Sequence, residues 1–275
     1  MALPAPQFVM VHAVLGFASP VFSHGGRDDL FIQSVRPEFP QVMHRQQLPA
    51  EAPPPTPFLV LASTSSQLAL SRAQADFEVR FYGDYLDDIE RGVEYVERKL
   101  LTLLDGLNAV EIDTMTIGVV GTLNFPFNDA DVEASGAAAR AHILNTLLKT
   151  DVEPDHVQDA MAKLAIRVRD TYFVNLSVSN YESRVLERPV LPGMSYAIIR
   201  PWDGKLQETG IALTIDINNI LEMRGSSDSE PPRVTSHGLR ALTRLLREVA
   251  MKAGPKFVES GSVSVEDMVE VSVIQ

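Results

Sequence analysis

The sequence predicts an α+β fold, a mostly antiparallel sheet with long helices on one face. Three observations predict it. Residues 75–107 pass from a two-residue apolar period straight into a three- and four-residue one. The same passage recurs at 209–254. A hairpin pattern precedes each passage.

The first passage is ADFEVRFYG followed by DYLDDIERGVEYVERKLLTLLDGL. Phe77, Val79 and Phe81 point to one side, and Asp76, Glu78 and Arg80 to the other, as in a strand with one wet face. Gly83 permits a sharp turn, Asp84 is a suitable helix cap, and Asp87 and Asp88 suit the positive end of the helix dipole. Leu86, Ile89, Val93, Val96, Leu100, Leu103 and Leu107 then form a narrow seam at alternating spacings of three and four. Asp105-Gly106 reads as the stop signal.

The second passage is TGIALTIDINN, with Ile211, Leu213, Ile215 and Ile217 on one face, then a loop and VTSHGLRALTRLLREVAMKAG. Leu239, Leu242, Leu246, Val249 and Ala253 repeat the seam, and Gly254-Pro255 reads as its end. The expected hairpins are SQLALSR with DFEVRFYG, and MSYAIIRP with TGIALTIDIN across the Asp203-Gly204 turn. IDTMTIGVVGTLNF and VEVSVIQ are the strands expected after the two helices. One reading is an internal duplication of a β-β-α-β unit; the other is chance recurrence within an α+β chain. On the first reading, residues 1–127 form one unit with an N-terminal strand and a long proline-rich loop. Residues 128–160 are a helical connector, and 161–275 are the second unit packed into the same body.

Elsewhere, Val9, Val11, Ala13, Leu15 and Phe17 alternate as a first strand, residues 18–57 read as loop around SHGGRDDL and PAEAPPPTP or, alternatively, FIQSVRPEFPQVM within them pairs as an irregular edge, and FLVLASTSSQLALSR reads as two short strands or one bent one. Asn128 to Thr150 reads as a third helix, EPDHVQDAMAK as a short fourth, and KLAIRVRDTYFVNLSVSNYE as a long strand or hairpin. Residues 222–234 read as a polar loop.

Composition narrows the function. The chain has 275 residues, 45% of them hydrophobic, enough to bury a core. Its net charge of −12 opposes direct binding of nucleic acid, and the basic residues form no dense run. No cysteine is present, so disulfides, thiolate metal sites and cysteine nucleophiles are excluded. No apolar run suits a membrane span, and a cytoplasmic location is expected.

Few residues suggest chemistry. SHGGRDD offers His24, Arg27 and Asp28 beside two glycines, either an anion- or metal-binding loop or a solvated turn. Asp216 and Asn218 share the strand face opposite the isoleucines, as the lining of a polar pocket or as wet residues ending a strand. Trp202 beside the Asp203-Gly204 turn could anchor a partner or pack across a hairpin end. The carboxylates of DYLDDIE suit a capped helix better than acid–base work. The six histidines show no HxH or HExxH spacing, no GxSxG elbow occurs, and no metal or cofactor is expected.

The order of PFLVLASTSSQLALSR, ADFEVRFYG with its helix, IDTMTIGVVGTLNFPF, and ALTIDINN before a last helix resembles an uncharacterised family found sporadically among bacteria. The resemblance implies a bacterial cytoplasmic protein from an accessory, defence or mobile gene set, and it brings no catalytic residues. The expected function is therefore a non-enzymatic interaction or assembly protein, its partner another protein or a second copy of itself. The alternative is an enzyme acting on a small molecule, such as a metal-assisted hydrolase using Asp or Glu with His.

Overall fold

The computed structural model describes residues 3–20, 25–49, 51–127, 132–168, 171–185, 204–219 and 233–268. Among these residues, nine strands form one antiparallel sheet: β1 (Gln7–Phe17), β2 (Gln41–Arg45), β3 (Leu59–Ala62), β4 (Ser66–Leu70), β5 (Gln74–Arg80), β6 (Thr114–Pro126), β7 (Met161–Val168), β8 (Tyr172–Val185) and β9 (Lys205–Asn218). Their order across the sheet is β2-β3-β4-β5-β1-β6-β9-β8-β7. The α+β class is thus the one the two periods predict. Because β6 pairs with β9, residues on either side of the helical connector share one sheet.

Alternation fixes which face is covered. Val11, Ala13 and Leu15 of β1, Phe77 and Val79 of β5, Val119 and Leu123 of β6, Leu176 of β8 and Ile215 of β9 are all fully buried on one side. Helices α1 (Gly25–Val35), α3 (Ile89–Ala109), α4 (Val132–His142), α5 (Ser236–Glu248) and α6 (Gly254–Ser260) accompany the sheet, with a short α2 (Asp84–Asp87) leading into α3. Val93, Val96, Leu100, Leu103 and Leu107 of α3 and Leu239, Leu242 and Leu246 of α5 are 0% exposed, and Leu86 and Ile89 pack against the same core. The two seams run side by side. Thr243 Oγ1 of α5 donates to Glu97 Oε2 of α3 at 2.6 Å, and Arg247 reaches Glu90 at 3.5 Å.

Several boundaries differ from those the sequence predicts, each for a packing reason. Gly83 makes the sharp turn at φ 57°, but the cap of the long helix is Asp88, whose carboxylate accepts from Arg91 N at 2.9 Å. Gly106 does not stop α3. It lies buried inside the helix, where a Cβ would come within 2.6 Å of Val35 Cγ1, so it lets α1 approach closely. That helix takes Gly25–Val35 out of the expected loop at 18–57, because Phe31 and Val35, four residues apart, both bury, and β2 takes Gln41–Arg45 as an edge strand. Gly254-Pro255 does not end the last helix either. A π-helical turn, Val249–Ala253, precedes it and α6 follows; a Cβ on Gly254 would lie 2.5 Å from Leu213 Cδ2 of the sheet. The helix expected over EPDHVQDAMAK is only a 3₁₀ turn, Pro154–His156, before β7. The third helix changes to a π-helical turn at Ile143 and stops at Lys149, which has φ 52°.

The strand pairings also carry one correction. The sequence predicts MSYAIIRP as the neighbour of TGIALTIDIN; along one edge of β9 the neighbour is β8, Val185 opposite Lys205 through Phe173 opposite Asn218. From Gly210 to Asn218 its other edge is filled by β6. All of MSYAIIRP, along with 222–232 and the closing strand VEVSVIQ, lies outside the described residues. The duplication is not established by this layout: β1 separates β5 from β6, and the second unit's last strand is not described.

Val96 touches the centre of the covered face and is fully buried. Val96→Asp should destabilise the fold by at least about 3 kcal/mol, since a carboxylate there has neither water nor a cation. Urea denaturation measures this, and the variant should be unfolded or nearly so at neutral pH.

Candidate functional site

The face of the sheet opposite α3 and α5 carries a row of polar side chains. Register places Asn175 of β8 opposite Asp216 of β9, and Asp216 opposite Val120 of β6. Val120 stands opposite His12 of β1, and His12 opposite Glu78 of β5. The adjacent row runs Phe173, Asn218, Gly118, Val14 and Asp76. Nine strands at the usual inter-strand spacing make this face roughly 38 Å wide. Its central residues are half-buried, because neighbouring side chains shield them on a flat surface.

Asp216 is the hub. Asn175 Nδ2 donates to its Oδ2 at 3.1 Å and Asn218 Nδ2 to its Oδ1 at 3.3 Å. Both donors are neutral amides, so the carboxylate charge has no cation beside it among the described residues. Asn218 Oδ1 is buried and accepts no hydrogen bond. Next to it Gly118 leaves a notch: a Cβ there would meet only Asn218 Cβ and a carbonyl, both at ordinary contact distances. Across the notch, Asp76 accepts from Gln74 Nε2 at 2.9 Å and stands 3.6 Å from His12 Nε2. Farther along β9, Glu208 accepts from Tyr181 Oη at 2.7 Å. Burial first, then that hydrogen bond and the Glu208 charge, push the Tyr181 phenol well above its ordinary range, so it stays a donor. The arrangement offers acceptors to a ligand rich in N–H donors.

Of the residues singled out from sequence, Asp216 and Asn218 are brought together here. Arg27 and Asp28 are not part of this face. They belong to the first turn of α1, not to a glycine loop, and their charges tie that helix down. Arg27 reaches Glu111 at 3.5 Å, and Asp28, only 9% exposed, faces Arg45 at 3.7 Å. His24 and Trp202 lie outside the described residues. Among the described residues no three histidine or carboxylate side chains converge to hold a metal ion. No helix among them is long and apolar enough to cross a membrane.

Sequence reasoning missed His12, Asp76 and Asn175 as neighbours of Asp216, since their meeting depends on strand order. It also missed Lys99, which is only 3% exposed. A local signal existed: Lys99 stands directly before Leu100 and four residues after Tyr95, on the flank of the seam.

Comparison with known proteins adds no identity: no protein-family model matches the chain, and no curated protein matches it significantly.

Asp216→Ala should leave two half-buried amides without their acceptor and cost about 1–2 kcal/mol in urea unfolding. Asp216→Asn, which retains an acceptor oxygen, should cost less than half as much.

Proposed function

We infer that the protein works by binding, as an interaction or assembly protein, and that the sheet face opposite α3 and α5 receives a basic segment of a partner protein. One observation carries this reading: the Asp216 carboxylate, held by two neutral amides and paired with no cation among the described residues, at the centre of a broad polar face. A guanidinium supplies both a positive charge and several N–H groups in a fixed fork, which suits the two oxygens of the Asp216 carboxylate. The net charge of −12 favours a cationic partner over nucleic acid. Membership of a bacterial accessory or defence gene set is the setting that the resemblance suggests for such a protein.

An array of arginine- and lysine-containing peptides tests the reading. The protein should retain a subset of them, more weakly as salt rises. Asp216→Asn should weaken retention about tenfold, corresponding to about 1.4 kcal/mol for one charge-assisted contact. Glu94→Gln, on the helix side, should leave it unchanged. Equal retention by wild type and Asp216→Asn would remove the face from the reading.

A further inference from the structure

On the helix side of the sheet, the turn from β3 to β4 reads Ser63-Thr64-Ser65-Ser66, and its hydroxyls gather on two side chains of α3. Tyr95 and Lys99 are four residues apart and so project from one helix face. Tyr95 Oη lies 3.4 Å from Ser63 Oγ, 3.2 Å from Ser65 Oγ and 3.3 Å from Ser66 Oγ. Ser63 Oγ accepts from Lys99 Nζ at 3.1 Å and lies 2.8 Å from Ser66 Oγ. Lys99 also donates to the Glu38 carbonyl and pairs with the Glu38 carboxylate at 3.3 Å. Its ammonium sits 4.5 Å from the Phe39 ring centre and 5.2 Å from that of Tyr95.

A polar plug beneath a helix needs one partner per hydroxyl. Here a tyrosine oxygen is met by three serine hydroxyls, and one of those serines is also met by a buried ammonium. The cluster is not sealed. Thr64 is exposed, and Ser63, Ser65 and Tyr95 are half-buried. Tyr85 stands edge-on to Tyr95 at 5.8 Å, with the Arg91 guanidinium 4.6 Å over its ring, as an aromatic shelf beside the turn.

We propose that this cluster is an acyl-transfer site for small carboxylic esters, with Ser63 as nucleophile, Tyr95 as general base and Lys99 as a positioning residue that holds the Ser63 oxygen. This goes beyond the binding reading and rests on different residues. Ser63 Oγ bonds to the ester carbonyl carbon as its proton passes to the Tyr95 phenolate. The adduct collapses, the ester C–O bond breaks, and the leaving alkoxide takes the proton from Tyr95. Water then attacks the acyl-Ser63 ester, giving one proton to Tyr95. The acid departs as Ser63 Oγ takes that proton back. Burial raises the Tyr95 phenol, but the hydrogen bonds of Ser63, Ser65 and Ser66 and the charge of Lys99 outweigh it, so the phenol ionises below its ordinary range. Nucleophile and base lie slightly beyond ideal hydrogen-bond reach, as is common before substrate draws such groups together.

A fluorophosphonate tests the proposal directly: a nucleophilic serine displaces its fluoride and forms an Oγ–P bond. Intact mass and peptide mapping should find one phosphonyl group per chain, on Ser63, and none in Ser63→Ala. In Tyr95→Phe, labelling should slow at least tenfold while the melting temperature changes little. The labelling rate in wild type should rise with pH through the ionisation of Tyr95, followed by tyrosinate absorbance. Removing a cation that favours the phenolate makes the phenol ionise at higher pH, so the profile of folded Lys99→Met should move to higher pH. Ser65→Ala and Ser66→Ala, which retain Lys99, should move it in the same direction, and they supply the test if Lys99→Met does not fold. Wild type left unlabelled, label on another residue, or Tyr95→Phe labelling as fast as wild type would each overturn the proposal.

Discussion

The structure depends on one apolar layer, where α3 and α5 press their seams onto a single face of the nine-stranded sheet. Val93, Val96, Leu100 and Leu103 meet the sheet from one helix, and Leu239, Leu242 and Leu246 from the other, all without exposure. The contact is close because the chain removes side chains where backbone must approach: a Cβ on Gly92 would lie 2.6 Å from the Phe8 ring. Each seam is narrow because each helix also has neighbours. Residues beside the seam of α3 meet α1 on one flank and α5 on the other.

That layer decides what the polar residues can do. A sheet covered on one side must present its alternate residues on the other. Asp216, Asn218, Asn175, His12 and Asp76 therefore gather on the face opposite α3 and α5 because their odd- or even-numbered neighbours are core. The layer also draws Lys99 inward. Its ammonium lies 4.5 Å from the Phe39 ring centre, and burial is compensated by Glu38, whose carboxylate also accepts from Arg98 Nε at 2.8 Å. The two polar regions thus have different origins. The open face is a by-product of strand alternation, whereas the Ser63, Tyr95 and Lys99 cluster sits where a helix flank meets a hairpin turn.

Much of the fold was legible because its signals are local. A two-residue period at β1, β5, β6 and β9 and a three-and-four period at α3 and α5 need only the chain's own geometry. The errors fell where two elements compete for space. Gly106 and Gly254 look like stop signals, and their neighbours turn them into close-approach positions inside helices. The α1 helix was hidden because its burial comes from α3, some seventy residues away in sequence.

The sequence by itself determined the class of fold, the faces of the strands and the two seams, since alternation and helical period are properties of adjacent residues. It also placed Asp216 and Asn218 on one strand face. Only the tertiary structure decided that β1 enters between β5 and β6, and that β9 lies between β6 and β8. Strand order is a long-range choice made by packing and pairing, and no local period encodes it. Through that order Asn175 meets Asp216, and His12 comes beside Asp76. The meeting of Ser63 with Tyr95 and Lys99 was decided in the same way, by where the α3 flank settles against the β3–β4 turn.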